Sequence, residues 1–457
     1  MRQELNIDTY DKIYFIGIGG IGMSALARYF HSIGKIVTGY DKTKSALTDQ
    51  LEKEGISVHF EDLGPSIPVE FRDPNKTLVV ITPAVPQNLG ERLFFVHHNF
   101  KILKRAEVLG LITRSSKALC VAGTHGKTTT SAMLSHILSQ SSMKCSAFLG
   151  GISSNINSNF LTDENAEFTV IEADEFDRSF LQLRPFASIV TTTDADHLDI
   201  YGDQSEFLNG FQKYVDLIDP AGKLIQHESV QLQAPNVSTY SIQGSGDYNG
   251  MDLRYESGSF LFDLDTPAGT VKNIQCGLPG IHNAENAIAC YALCEFIGLE
   301  SQEILDGIRS FKGVKRRFEM HVKSEQLVYI DDYAHHPTEI NALITSLRLL
   351  YPDKKIYGIF QPHLFSRTRD FFDGFVSSLS QLDSVTLLPI YPAREEPISG
   401  INSEALLAQI QLHDKSLLTP EDTIKKFKTI DSGVVVTIGA GDIDRIVEPL
   451  KNGFEEQ

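Results

Sequence analysis

Short apolar runs alternate with helical stretches along most of the chain. In residues 1–105 the pattern predicts strands over Lys12–Ile18, Lys35–Tyr40 and Thr77–Thr82, with helices over Ile21–Ser32 and Thr43–Glu54. Strands and helices that alternate in this way form βαβ units, with parallel strands and right-handed crossovers. We therefore predict that an α/β domain with a parallel sheet occupies this part of the chain.

The same alternation returns in two further units, predicted at residues 106–313 and 314–457. The second unit is predicted to contain strands at 117–122, 168–173 and 186–193, and helices at 130–140, 204–217 and 283–297. Its residues 236–280 change to short alternating runs rich in Tyr, Ser, Gly and Asp, which favours added antiparallel strands. The third unit is predicted to contain strands at 327–331, 355–360, 384–388 and 433–438. The sequence thus predicts an α/β protein of three domains with mainly parallel sheets.

A glycine-rich turn joins a strand to a helix in the second unit. It reads Gly123-Thr124-His125-Gly126-Lys127-Thr128-Thr129. Such a turn lets backbone N–H groups and a helix N-terminus converge on phosphate groups. Lys127 is then placed to reach the outer phosphates of ATP, and the Thr128 hydroxyl to bind Mg²⁺. The glycine spacing departs from the usual motif, and an ordinary strand-to-helix turn is the alternative.

A second glycine-rich turn follows the first predicted strand. Its glycines, Gly17, Gly19, Gly20 and Gly22, fit the G-x-G-x-x-G pattern, and Asp41 ends the next strand about 20 residues on. Loops of this kind bind a diphosphate through backbone amides, with the acid on a ribose. The pattern predicts a nucleotide diphosphate but does not separate NAD from other nucleotides, and a simple tight turn is the alternative.

Acidic residues follow two other strands of the second unit. Glu172 ends a strand beside the phosphate loop, where a Mg²⁺ ligand is expected. The acids after it (Asp174, Glu175 and Asp177) fit a solvated loop instead. His197 stands among carboxylates after the next strand, where it could ligate a second metal ion or hydrogen-bond the reacting groups. A purely structural histidine is the alternative.

Arginine and histidine side chains mark the third unit. Arg316 and Arg317 lie at its predicted junction with the second unit, and guanidinium groups suit phosphate and carboxylate recognition. His335, Arg367 and Arg369 follow two predicted strands and could clamp a small carboxylate. Helix capping and surface salt bridges are the alternatives.

Composition narrows the class of protein. The 457 residues carry a net charge of −18, which argues against a protein that binds nucleic acid. If the substrates are anionic nucleotides, local Lys, Arg and metal ions have to attract them, because the overall charge of the protein repels them. The five cysteines form no CxxC pair, so we predict buried reduced thiols. No apolar run approaches about 18 residues, and the N-terminus has no apolar signal region. We predict a cytoplasmic protein that does not bind membranes.

Together these motifs resemble the Mur ligase family, the ATP-dependent amino-acid ligases of peptidoglycan synthesis. The resemblance covers nearly the whole chain in order, through GIGGIGM, AGTHGKTTT, EADEFDRSF, DADHLDIY, GIHNAENA, RRFE, DDYAHHPTE, FQPHLFSRTRDF, IYPAREEPISG and IGAGDI. It implies a Rossmann-like UDP-substrate domain at 1–105, a P-loop ATPase domain at 106–313, and a Rossmann-like amino-acid-binding domain at 314–457.

The resemblance also implies a reaction and residue roles. L-alanine would be joined to the lactyl carboxylate of UDP-N-acetylmuramate through an acyl phosphate, with ATP as co-substrate and Mg²⁺ as cofactor. Further roles come from matching positions: His197 for a second metal ion, Asn283 and Asn286 near the adenosine, Arg317 on a phosphate, and Tyr333, His335 and Arg367 on the amino acid. Leu364 stands where some members carry Arg, which leaves the amino-acid clamp more to Arg367.

Three alternative functions are each compatible with part of the sequence. A recycling ligase of the same family would add a tripeptide to the same nucleotide. An NAD-dependent oxidoreductase would use the first glycine loop but leave the phosphate loop and Glu172 without a purpose. A non-catalytic nucleotide sensor would not need Lys127, Thr128, Glu172 and His197 together. The sequence leaves a monomer and a homodimer equally open.

Overall fold

The computed structural model describes residues 7–194, 201, 203–256, 259–393 and 395–456. These residues form three sheets, of five, ten and six strands, each accompanied by helices. The predicted α/β class with mainly parallel sheets is confirmed. None of the helices in the described ranges is both long enough and apolar enough to cross a bilayer.

The first sheet has a Rossmann-like strand order. Its strands are β1 (Lys12–Ile16), β2 (Ile36–Tyr40), β3 (Ser57–His59), β4 (Thr77–Ile81) and β5 (Lys101–Lys104). Its helices are α1 (Ile21–Ser32), α2 (Ala46–Lys53), α3 (Gly90–His97) and α4 (Arg105–Ile112). All pairs in the order β3-β2-β1-β4-β5 are parallel. The apolar run of β1 is buried in the centre, which places the glycine turn after it at the carboxyl edge of the sheet.

The second sheet is the largest. Its strands are β6 (Lys117–Ala122), β7 (Cys145–Ser153), β8 (Ser158–Leu161), β9 (Phe168–Glu172), β10 (Pro185–Val190), β11 (Leu224–His227), β12 (Val237–Ile242), β13 (Tyr248–Glu256), β14 (Ser259–Thr266) and β15 (Gly269–Cys276). Its helices are α5 (Lys127–Gln140), α6 (Gln204–Val215), α7 (Ile281–Phe296) and α8 (Ser301–Ser310). The strand order is β15-β14-β13-β12-β11-β10-β6-β9-β7-β8.

The centre of this sheet brings three motif-bearing strands together. β6 lies between β9 and β10 and pairs with both in parallel, so their carboxyl ends meet at one edge. Helix α5 is buried from Thr128 to Leu138, as expected for a helix that packs inside a domain. Strands β12 to β15 occupy the region predicted to hold antiparallel additions. Within this sheet β12 pairs with β13 in parallel, and β7 pairs with β8 in antiparallel fashion.

The third sheet belongs to the C-terminal part of the chain. Its strands are β16 (Glu319–Lys323), β17 (Leu327–Asp332), β18 (Ile356–Phe360), β19 (Ser384–Leu387), β20 (Lys415–Leu417) and β21 (Gly433–Ile438). Its helices are α9 (Pro337–Leu350), α10 (Phe365–Asp370), α11 (Phe372–Leu379), α12 (Ser403–Gln409), α13 (Pro420–Phe427) and α14 (Val447–Glu455). In the order β16-β17-β21-β18-β19-β20, only the edge pair β16–β17 is antiparallel among these described strands.

The described residues fall into two compact units. The first comprises Met1–Leu253, Leu261–Cys276 and Glu285–Lys312, and so contains the first sheet and most of the second. The other comprises Arg254–Phe260, Gly277–Ala284 and Gly313–Gln457, with the third sheet. The domain boundaries near residues 105 and 313 stay predictions. The five cysteines are buried thiols, as predicted.

Candidate active site

The phosphate loop links β6 to α5 through two glycines in left-handed conformations. Gly123 has φ 130° and Gly126 has φ 81°, a region that side chains with a Cβ rarely adopt. A Cβ on Gly123 would also collide with the Thr191 hydroxyl. Both glycines are therefore needed for a turn that ends at the N-terminus of a buried helix, the arrangement that binds phosphate.

The segment after β10 supports the phosphate loop. The N–H of Thr124 donates to the carbonyl of Thr192 at 3.0 Å, and the N–H of His125 donates to the Thr192 hydroxyl at 3.1 Å. The Thr124 hydroxyl donates to the carbonyl of Asp194 at 2.8 Å. The sequence alone does not assign these threonines a role, although their place after a parallel strand beside the loop is a usable signal. His197, predicted to bind metal, lies outside the described residues.

Thr128 and Glu172 meet as the sequence predicted. The Thr128 hydroxyl donates to one carboxylate oxygen of Glu172 at 3.1 Å, and the N–H of Gly150 donates to the other at 3.0 Å. A hydroxyl and a carboxylate offer hard oxygen ligands, the kind that Mg²⁺ prefers. The pair therefore fits Mg²⁺ at the edge of the phosphate loop, and binding by these two residues stays a prediction.

Lys127 forms a buried ion pair with Glu175. The two carboxylate oxygens lie 3.0 Å and 2.8 Å from its ammonium nitrogen, and 13% and 2% of the two side chains are exposed. Burial opposes the charge of Lys127, but Glu175, Asp174 and Glu172 together raise its pKa, so it stays protonated. The prediction that Glu175 lies in a solvated loop is wrong, because its side chain is buried against Lys127. Burial raises the pKa of Glu175, and the lysine charge offsets only part of that rise. Asp174 and Asp177 are partly exposed, as expected of a solvated loop.

Two asparagines begin helix α7. The Asn286 side chain is buried and accepts a hydrogen bond from the Thr130 hydroxyl in α5 at 2.9 Å. A Cβ on Gly126 would lie 3.1 Å from the Asn286 side-chain oxygen, which places Asn286 beside the phosphate loop. Asn283 donates to the carbonyl of Pro279 at 2.7 Å. That both residues lie near an adenosine stays a prediction.

The first glycine loop is held by Asp41. The N–H of Gly19 donates to one Asp41 oxygen at 2.8 Å, and the N–H of Thr43 donates to the other at 3.0 Å. Gly17 has φ 89°, so the loop turns sharply after β1. Asp41 thus braces the loop in this structure, and its contact with a ribose stays a prediction.

A cavity of about 270 Å³ lies between this loop and the Mg²⁺ candidate pair. Its lining includes Gly20 and Gly22 on one side and Glu172 and Asp174 on the other. Among the described residues that line it, Arg105 is the one cation. Its guanidinium lies 3.2 Å from Asp174 and would be 2.5 Å from a Cβ on Gly22. Arg105 is not predictable from the sequence, because a single arginine at a helix start carries no motif.

The two arginines at the start of the third predicted domain, residues 314–457, have different environments. Arg316 donates to Asp331 at 3.2 Å and to the carbonyl of Gly439 at 2.7 Å, so it braces the ends of β17 and β21. Arg317 is 29% exposed, and its guanidinium carbon lies 4.8 Å from the centre of the Tyr333 ring. Of the two, Arg317 is the better placed to meet a ligand.

Polar residues gather after β17 and β18. The rings of His335 and Tyr333 are centred 5.4 Å apart, and those of His335 and His363 are centred 6.3 Å apart. Burial, with the guanidiniums of Arg367 and Arg317, lowers the pKa of His335 to about 4. Burial and Arg367 lower the pKa of His363 to about 4 as well. Both histidines are therefore neutral near pH 7 and leave the positive charge of the cluster to arginine.

Arg369 does not join this cluster. Its side chain is 53% exposed and pairs with the adjacent Asp370 at 2.7 Å. The structure places the side chain in a surface salt bridge at the end of α10, the alternative that the sequence left open for it. The same short helix therefore carries a half-buried arginine, Arg367, and an exposed one, Arg369.

The lowered histidine pKa predicts a pH effect on stability. An unfolded His has a pKa of about 6.5, so between about pH 6.5 and about pH 4 the unfolded chain binds more protons than the folded chain. The free energy of unfolding therefore decreases as the pH is lowered through this range. His335→Gln should therefore lose less thermal stability than the unmodified protein between about pH 7 and about pH 4.5. Burial raises the pKa of Asp332 to about 6, which acts in the opposite sense but is common to both proteins. Equal losses in melting temperature would contradict the burial of a neutral His335.

Comparisons with known proteins cover nearly the whole chain. Three family models match successive parts of the chain: the Mur ligase family catalytic domain at residues 12–117, the Mur ligase middle domain at 121–294, and the Mur ligase glutamate ligase domain at 316–442. The UDP-N-acetylmuramate–L-alanine ligase of Phocaeicola vulgatus is 48% identical over 452 residues, 98% of each chain.

Solved structures share the same architecture. The UDP-N-acetylmuramate-alanine ligase from Thermotoga maritima matches with a TM-score of 0.83 at 25% identity, covering 97% of this chain and 99% of that chain. A murein peptide ligase from Psychrobacter arcticus matches with a TM-score of 0.69 at 23% identity, covering 98% and 99%. The second likeness shows the fold alone.

Proposed function

The chain belongs to the Mur ligase family, and we propose that it is the ATP-dependent ligase that joins L-alanine to UDP-N-acetylmuramate. The observation that carries the proposal is the phosphate loop of Lys127 and Thr128 against Glu172, in a chain 48% identical to a relative of that name. The product would be UDP-N-acetylmuramoyl-L-alanine, an intermediate of peptidoglycan synthesis, with ADP and phosphate.

The chemistry has two steps. An oxygen of the lactyl carboxylate attacks the γ-phosphorus of ATP, and the bond between that phosphorus and the β,γ-bridging oxygen breaks. ADP departs, and the carboxylate has become an acyl phosphate. The amine of L-alanine then attacks the acyl carbon and loses a proton, and the tetrahedral intermediate collapses with release of phosphate. Such steps depend on in-line positioning and on neutralisation of phosphoryl charge.

The compact unit that holds the first sheet and most of the second supplies groups suited to the phosphoryl step. Loop amides and the N-terminus of α5 would hold the ATP phosphates, and Lys127 would neutralise charge on the transferred group. Thr128 and Glu172 would hold Mg²⁺, with His197 as the predicted ligand of a second ion. Bound there, Mg²⁺ would offset charge on the phosphoryl oxygens. The cavity beside Arg105 lies between this site and the first glycine loop, where the UDP diphosphate would bind.

The compact unit that holds the third sheet supplies groups suited to the amino acid. A guanidinium can hold the α-carboxylate through two parallel hydrogen bonds and leave the amine unpaired. Arg367 would take that role, with Tyr333 and neutral His335 beside it and Arg317 directed to a phosphate. Neutral histidines do not compete with the arginine for the carboxylate.

The alternatives are less well supported. A recycling ligase would share the phosphoryl chemistry and differ in the incoming amine, while the 48% identical relative is an alanine ligase by name. An oxidoreductase would give no purpose to the Thr128–Glu172 pair. We further propose domain boundaries near residues 105 and 313, a cytoplasmic location where the nucleotide substrates occur, and a monomer or homodimer.

The function is tested by product formation. The purified protein with ATP, Mg²⁺, UDP-N-acetylmuramate and L-alanine should form ADP and a UDP-sugar heavier by one alanyl residue in mass spectra. Omission of any substrate should abolish the product. Reduction of NAD, or ADP formation without the heavier sugar, would count against the ligase.

Gly20 offers a clean test of the first glycine loop. It caps α1 with ordinary dihedrals, and a Cβ there would lie 3.6 Å from its nearest protein neighbour, so Gly20→Ala should fold normally. The methyl group would obstruct a diphosphate on the loop amides and raise the KM for UDP-N-acetylmuramate by about 10-fold, with little change for ATP. Gly19→Val is a poorer probe, because a Cβ there meets Asp41 and Thr48 at 2.8 Å. A larger effect on ATP than on the UDP-sugar would reject the assignment.

A further inference from the structure

The ammonium group of Lys127 directs its donors to protein groups. It donates to the carbonyls of Gly123 at 2.6 Å and Thr124 at 3.2 Å, and it contacts Glu175 at 2.8 Å and 3.0 Å. A lysine has three N–H donors. A phosphate oxygen can therefore bind this ammonium only by displacing one of the present partners.

The backbone of Glu175 is held in place by neighbouring groups, and its side chain is buried. The residue is 1% exposed, and its backbone carbonyl accepts hydrogen bonds from the Tyr201 hydroxyl at 2.7 Å and the Arg178 N–H at 3.0 Å. The preceding Asp174 carbonyl accepts from the Phe180 N–H at 2.9 Å. The backbone that carries the carboxylate is thus fixed from several directions beside the phosphate loop.

We propose that Glu175 is a positioning residue that holds Lys127 against the phosphate loop and competes with the ATP phosphates for it. The inference rests on the proposed function of Lys127 as the residue that reaches the outer phosphates. The pair keeps the loop ordered and the lysine charged, at the expense of nucleotide affinity. Loss of the Glu175 carboxylate removes the competitor, while Asp174 and Glu172 still favour a charged lysine.

The expected effect is tighter binding of nucleotides that Lys127 can reach. Glu175→Gln should lower the Kd for ATP by about 3- to 10-fold in calorimetry without the other substrates, and leave the Kd for AMP unchanged, because AMP lacks the outer phosphates. The steady-state KM for ATP should fall with it, while kcat does not rise. A purely structural role for Glu175 would lower the melting temperature and leave this split between ATP and AMP absent.

Two further variants separate contact from general charge. Asp174→Asn removes a neighbouring negative charge that pairs with Arg105 rather than with Lys127, so it should change the Kd for ATP by less than half as much. In a Lys127→Met background, Glu175→Gln should have no effect on ATP binding, since nothing remains to compete for. Equal gains in Asp174→Asn, an unchanged or weaker Kd for ATP in Glu175→Gln, or a gain that persists without Lys127 would each overturn the proposal.

These outcomes are distinct from failure of the proposed function. The binding measurements require no ligation, so absence of product with alanine would reject the ligase while the ATP and AMP affinities still report on Glu175. Conversely, normal ligation with no change of ATP affinity in Glu175→Gln would reject the positioning role alone.

Discussion

Lys127→Met should lower kcat by about two orders of magnitude or more, the loss seen when one preorganised electrostatic group is removed. In ligand binding the ammonium would face charge that develops on the transferred phosphoryl, and methionine has similar length but no charge. Because the effect belongs to the transition state, the KM for UDP-N-acetylmuramate should change little. Steady-state kinetics by coupled ADP detection provides the measurement.

The substitution also leaves Glu175 buried without its cation. Breaking a buried ion pair costs about 3–5 kcal/mol, so loss of folding has to be separated from loss of chemistry. The double variant Lys127→Met/Glu175→Gln removes both charges and should recover thermal stability without recovering activity. Near-normal turnover in either folded variant would reject the role of Lys127.

Arg367→Lys should reduce kcat/KM for L-alanine by about 30- to 1000-fold, which corresponds to ~2–4 kcal/mol for one charge-assisted contact. Lysine keeps the charge but cannot reproduce the two parallel hydrogen bonds of a guanidinium. The KM values for ATP and UDP-N-acetylmuramate should stay close to those of the unmodified protein.

Helix α10 provides a matched control. Arg369→Lys is the same substitution two residues along, at a side chain that is 53% exposed and paired with Asp370. It should leave alanine kinetics unchanged, since exposed ion pairs contribute little. If Arg367→Lys lowers the melting temperature but keeps alanine kinetics, Arg367 only anchors the helix.

Periodicity and glycine turns predicted most of the fold. The strands β1, β9 and β21 were predicted within two residues of their ends, because each is a buried run of β-branched and aromatic residues bounded by a turn. Short elements such as β3 and β5 were missed. Their three or four residues carry too little pattern, and their pairing to longer strands decides their structure.

The site was predictable where one residue type has one chemical purpose. Thr128, at the end of the phosphate loop, meets Glu172 because the parallel strands β6 and β9 place their carboxyl ends at one edge. Glu175 was misassigned, because burial of a carboxylate depends on a partner distant in sequence, Lys127. The sequence could not separate Arg369 from Arg367, and the structure shows that Arg369 pairs with its neighbour in sequence, Asp370.

The most direct test of the proposed function is phosphate release from ATP with UDP-N-acetylmuramate and each candidate amine in turn. The panel contains L-alanine, the other standard amino acids and the tripeptide used by recycling ligases. The proposed function predicts rapid release that requires UDP-N-acetylmuramate and is highest with L-alanine, with one UDP-sugar product formed for each phosphate. Release that is fastest with the tripeptide, or that ignores the amine and the UDP-sugar, would contradict it.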